Sequence, residues 1–189
     1  MRNITLGAIA VLVLGLIGIE RGDAQGAGAA QQPAALVTRG RYLVTVGACN
    51  DCHTPWKVGP QGPGPDPART LSGHPAATKM PDPPKPVGPW QWSGAATNTA
   101  FAGPWGVSYG ANLTPDRDTG LGQWTEKMFL DAMRTGKHAG AGRPILPPMP
   151  WPSYKQMTDD DLKAVFAYLQ SVKPISNRVP EPVIAPPPR

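Results

Sequence analysis

The sequence predicts an all-α fold, and three observations carry that reading. Three segments place apolar residues at helical spacing, and the second and third are flanked by capping residues. No strand-helix-strand pattern appears around the cysteine pair. The 56 residues between the first two helices hold 12 prolines and 9 glycines, a density at which no periodicity survives.

The elements follow in chain order. Met1-Arg2-Asn3 is a short basic start, followed by sixteen residues without a charge (Ile4 to Ile19) and then Glu20-Arg21-Gly22-Asp23-Ala24. That is the order of a secretory signal, with cleavage expected after Ala24 and Ala29 as a second candidate. The apolar run falls short of the ~20 residues that span a bilayer, and an uncleaved anchor is the alternative. Residues 25–34 read as a flexible N-terminal segment. The first helix is expected from Ala35 to Cys52, with Leu36, Leu43 and Val46 on one side and Gly40 admitting another backbone. The second begins at Thr125, uses Phe129, Ala132 and Met133, and stops at Gly136. In the third, Thr158 is the cap and Asp159, Asp160 and Asp161 sit at the positive end of the helix dipole. Leu162, Val165, Phe166 and Leu169 form its core stripe, and Pro174 ends it. Residues 35–174 are thus expected as one domain with a loop insert at 55–110, and 175–189 as an extended Pro-rich tail.

Composition narrows the function classes. Eighteen Lys and Arg against thirteen Asp and Glu give a net charge of +5, a mild bias toward acidic partner surfaces. Six tryptophans and 40% hydrophobic content argue against disorder, although Gly and Pro make up a quarter of the chain. Two cysteines cannot build a disulfide scaffold or fill a four-cysteine zinc site. No glycine-rich phosphate cradle is present.

Cys49-Asn50-Asp51-Cys52-His53 decides the chemistry. A zinc site needs two further ligands at matching spacing, and His74 and His138 stand far apart. Cys-x-x-Cys-His in an exported chain instead fits c-type haem attachment: residues three apart share a helix face, so both thiols can add to the porphyrin and the adjacent imidazole reaches the iron. The second axial ligand must come from elsewhere. Met128 and Met133 sit in a helical pattern as core filler, Met157 precedes a cap, and Met80 has no supporting pattern. Met149 lies in Leu146-Pro147-Pro148-Met149-Pro150-Trp151, a backbone stiffened by three prolines and suited to presenting a thioether. Ligation by His138 or His74 is the competitor.

With this motif, a downstream methionine and this helix order, the chain resembles the class I c-type cytochromes. More narrowly, it resembles the haem domains in cytochrome subunits of bacterial membrane-bound alcohol and aldehyde dehydrogenases. The resemblance rests on Arg39-Gly40-Arg41-Tyr42-Leu43 before the motif and on Asn112-Leu113-Thr114-Pro115-Asp116 with Gly120-Leu121-Gly122-Gln123-Trp124-Thr125. Pro148-Met149-Pro150 with Tyr154, and Asp160-Asp161-Leu162 into Tyr168-Leu169, complete it. It implies an all-α fold in which the first and last helices cross over one covalently attached haem c. Cys49 and Cys52 are then the thioether sites, His53 the proximal ligand and Met149 the distal one. Asn112, Trp124 and Tyr154 match the pattern either as pocket residues or as ordinary loop packing. Those dehydrogenase subunits usually carry three such motifs, and this chain carries one.

The function expected is one-electron transfer in the periplasm rather than catalysis, from a dehydrogenase donor to an oxidase or other acceptor. No nucleic-acid partner is expected, and membrane contact is expected only through an uncleaved leader. The alternatives are a haem subunit of a larger oxidoreductase complex, and a haem enzyme or sensor with an open sixth position. The Pro/Gly/Trp insert either covers the haem edge or docks a partner.

Overall fold

The computed structural model describes residues 28–85 and 87–186; the expected leader at 1–24 lies outside them. Five α-helices are described: α1 Gly28–Val46, α2 Cys49–His53, α3 Glu126–Thr135, α4 Trp151–Tyr154 and α5 Asp159–Ser171. Between and after them run six short strands: β1 Trp56–Gly59, β2 Gly62–Pro65, β3 Ser93–Gly94, β4 Ala100–Gly103, β5 Gly106–Tyr109 and β6 Val183–Ile184. The fold is therefore mixed α/β, which corrects the all-α expectation. β1 and β2 form a hairpin, and the other four make an antiparallel sheet in the order β3-β4-β5-β6.

The strands arise where side chains could not announce them. Both hairpins turn on the same tetrapeptide pattern, Gly59-Pro60-Gln61-Gly62 and Gly103-Pro104-Trp105-Gly106, with the outer glycines paired across each ladder. Proline at the second position presets the turn and glycine at the fourth accepts a positive φ, here 96° at Gly62 and 104° at Gly106. Main-chain bonding holds these strands without an alternating apolar pattern.

α1 and α5 pack against one another, and Gly40 is the reason they can. A Cβ there would lie 1.9 Å from the carbonyl oxygen of Ala164. Burial on α1 accordingly centres on Gly40 and Val44, while Leu36 and Val46 are exposed, so the buried stripe is rotated from the expected one. α1 starts at Gly28, upstream of the expected Ala35, and it stops at Val46 instead of running into the cysteines. Ala48 takes a left-handed φ of 55°, which ends one helix and starts α2 in a new direction.

α3 and α5 match their sequence signatures. Thr125 caps α3 by accepting from the Met128 N–H at 3.2 Å, and Gly136 ends it at φ 66°. Thr158 caps α5 by accepting from the Asp161 N–H at 3.1 Å. Leu162, Val165, Phe166 and Leu169 join Val44, Leu71, Leu121 and Phe129 in the core, where the Phe129 and Phe166 rings lie 5.4 Å apart. Met157 and Met133 pack on its edge. Two ion pairs fasten α5 to its neighbours, Arg39 to Asp161 at 3.0 Å and Arg134 to Asp159 at 2.5 Å.

The insert contributes side chains to the interior. Leu71 is part of the core, and His74 is fully buried. Trp90 and Trp92 remain exposed, the latter edge-on to Phe101 at 6.1 Å.

Replacing Gly40 with Ala should cost roughly 1–3 kcal/mol through overpacking against Ala164, read as a lowered denaturation midpoint. The Arg134 and Arg39 guanidiniums hold the Asp159 and Asp161 carboxyls below the usual carboxylate range by hydrogen bonding. Their contribution is therefore complete above the unfolded-state pKa of about 4 and is lost as pH falls below it. Acid titrations of stability should show a shallower decline in Asp161→Asn than in the parent.

Candidate haem site

α2 is only five residues long, so its own hydrogen bonds cannot hold it. The insert grips it instead. Gly73 N–H donates to the carbonyl of His53 at 2.7 Å, and Asn98 Nδ2 donates to that of Asp51 at 2.7 Å. Thr54, 1% exposed, donates to Asn50 Oδ1 at 3.0 Å and accepts from the Leu71 N–H at 2.8 Å.

His53 is buried, and its Nδ1 lies 2.8 Å from the carbonyl oxygen of Ala111. A carbonyl can only accept, so Nδ1 carries the proton and Nε2 is left with its lone pair free. Burial lowers the pKa of this imidazole and keeps it neutral. The two cysteines are not joined as a disulfide. Burial pushes the Cys49 thiol up to about 11 and raises that of Cys52. Both are therefore protonated near neutral pH, unlike the low-pKa thiolates of disulfide exchangers. Among the described residues, no three His, Cys, Asp or Glu side chains cluster as a metal site, so a zinc reading lacks its ligands.

Cys49, Cys52, His53 and Met149 all line one cavity of about 580 Å³. The Met149 loop is fixed from several sides. Ser108 Oγ donates to the Pro147 carbonyl at 2.6 Å, and Ile145 N–H donates to that of Gly136 at 2.8 Å. The Trp151 ring rests on Gly136, where a Cβ would come within 2.3 Å of it. Arg134 binds the carbonyls of Lys155 and Met157 just beyond.

The competing histidines separate. His74 lies outside the cavity lining, with Nδ1 2.9 Å from Thr99 Oγ1 and Nε2 3.3 Å from the Thr78 carbonyl. His138 does line the cavity, edge-on to Trp124 at 5.0 Å. Asn112, Trp124 and Tyr154 line it too. Asn112 is also a loop organiser, accepting from Thr114 and donating to the Ile175 carbonyl. Tyr154 OH donates to the Gly47 carbonyl at 2.5 Å, across the α1–α2 break.

Sequence reasoning missed part of the lining. Phe101, Ser108 and Tyr109 come from β4 and β5, and Arg178 to Pro182 from the tail. The repeated Gly-Pro-x-Gly pattern was the available signal for the strands; the tail carried none.

The cavity fits a haem. Its walls are mostly apolar, its size lies in the range of cofactor sites, and two thiols three residues apart stand beside a neutral imidazole. Arg143 and Arg178 are also in the lining, positive groups of the kind that match a haem's two carboxylates.

No family model matches the sequence. Curated relatives do. The chain is 32% identical over 143 residues, 75% of its length, to the gluconate 2-dehydrogenase cytochrome c subunit of Pantoea cypripedii. It is 28% identical over 171 residues, 89% of its length, to the cytochrome c subunit of the quinone alcohol dehydrogenase of Gluconobacter oxydans. It is 28% identical over 146 residues, 77% of its length, to the fructose dehydrogenase cytochrome subunit of Gluconobacter japonicus. The chain spans 24%, 28% and 23% of the length of these three proteins. It therefore resembles the cytochrome c subunits of bacterial dehydrogenases across most of its own length.

Replacing Thr54 with Val would leave the Leu71 N–H buried without an acceptor, at a cost of about 1–3 kcal/mol. Urea unfolding should show the loss, and Thr54→Ser should recover most of it.

Proposed function

We propose that the chain is an exported one-electron carrier, not itself a catalyst, with a single haem c attached through Cys49 and Cys52. The observation that carries this is the convergence of both thiols, the His53 imidazole and the Met149 thioether on one apolar cavity. When bound, the haem supplies a reversible one-electron change at its iron. The protein's own residues do the rest. His53 offers Nε2 as a ligand because Ala111 holds the proton on Nδ1. Met149 is offered from a loop held by Ser108 and Trp151, so little further ordering is needed. Held by the Met149 thioether and the His53 imidazole, a haem would be favoured in its ferrous state and would keep no position for substrate. The apolar walls act in the same direction by disfavouring added positive charge.

The location proposed is the periplasm, on the strength of the N-terminal sequence pattern. A dehydrogenase is the proposed donor, as a partner of the kind named in the relatives, and an oxidase or similar protein the acceptor. Because the relatives are subunits, a haem subunit of a larger oxidoreductase complex is the alternative. The other reading for the sixth position is His138, which shares the cavity.

Visible spectra of Met149→Ala and His138→Ala, each compared with the parent, test the assignment. Loss of the red ferric band of Met–iron ligation is expected only in Met149→Ala; its loss in His138→Ala instead would reverse the assignment. A Cys49→Ala, Cys52→Ala double variant should release all haem on acid–acetone extraction.

A further inference from the structure

The Pro-rich tail is not free of the fold. It leaves α5 at Val172, and Ile175 is bonded at both its N–H and its carbonyl, to Thr114 Oγ1 and Asn112 Nδ2. Asn177 is 5% exposed and saturated. Its Nδ2 donates to the Ser72 and His74 carbonyls, its Oδ1 accepts from Arg69 and the Ala76 N–H, and its own N–H donates to Thr119. Six residues on, Val183 and Ile184 pair with Val107 and Gly106 of β5, and Ala185 N–H donates to the Trp105 carbonyl at 2.9 Å. A Cβ at Gly106 would lie 1.9 Å from the Val183 carbonyl oxygen, so the glycine is what admits the tail. Between these anchors, residues 178–182 all line the cavity that holds Cys49, His53 and Met149.

We propose that residues 178–182 form a strap, fixed at both ends, that closes this cavity and sets the reduction potential of the haem within it. The inference rests on the haem reading above. The strap's chemistry suits the task. Pro180 and Pro182 have no N–H to leave unpaired over an apolar cavity, and their fixed φ keeps the span extended. The Arg143–Glu181 pair at 3.2 Å adds a contact in midspan, with Glu181 85% exposed. A pair so exposed contributes little, so the end anchors do the holding. A closed strap excludes water and so disfavours the more highly charged ferric state.

The test is a redox titration of holoprotein matured in a haem-attaching host, for the parent and for a chain ending at Asn177. Covalent haem is expected in both, with the midpoint potential shifted negative in the shortened chain and faster oxidation of the ferrous form by ferricyanide. A shortened holoprotein at the parent's potential overturns the strap. If the shortened chain does not fold, a full-length Pro180→Gly, Pro182→Gly variant decides, with a smaller negative shift expected and an unchanged potential overturning the proposal. A parent that carries no haem after maturation overturns the haem reading and the strap with it, whereas a haem-loaded parent with unmoved variants overturns the strap alone.

Discussion

A five-residue helix cannot stand alone, and the organisation of this protein follows from that constraint. The cooperativity of helix formation leaves α2 without the internal bonds to hold its shape, yet it carries Cys49, Cys52 and His53, all of which line the cavity. The long insert supplies what the helix lacks. Carbonyls of Asp51 and His53 are capped by Asn98 and Gly73, the His53 ring is aimed by Ala111, and Thr54 is tied to Leu71 in the core. A segment whose composition suggests slack chain is thus the clamp on the chemical centre.

The Met149 segment is held by different means. Met149 comes from a proline-stiffened loop between α3 and α5, and its supports belong to separate elements: Ser108 on β5, Gly136 at the end of α3 and Arg134 within it. Anchoring of both segments suits the one-electron role proposed above, in which a metal would change charge with little change in its surroundings. The same arrangement brings the helical core and the small sheet together around one space, so neither layer forms the cavity by itself.

How much of this was legible in the sequence varies by element for physical reasons. α3 and α5 were readable to their capping residues because Thr125, Gly136 and Thr158 act locally. Gly40 was readable as a point of close approach, but the face of α1 was not, because the partner helix decides which side is buried. Leu36 and Val46 proved exposed, while Val44 is 1% exposed. The break at Ala48 was invisible, since alanine has no preference for a left-handed φ. The strands were lost for another reason. They are two to four residues long and rich in Gly and Pro, so hydrogen bonding across turns defines them and no apolar alternation survives. At the centre, the Cys49–His53 motif was plain because its five residues are contiguous in the chain. Met149 was singled out by its prolines, by elimination of the other methionines and by the resemblance, whereas the tail residues lining the cavity left no mark, because their position depends on Asn177 and β5.

The four-stranded sheet ends on both sides in a strand of only two residues, Ser93–Gly94 and Val183–Ile184. Open sheet margins are the usual templates on which one molecule adds to another. Here each margin offers so few free main-chain donors and acceptors that a second copy gains almost nothing by adding a strand.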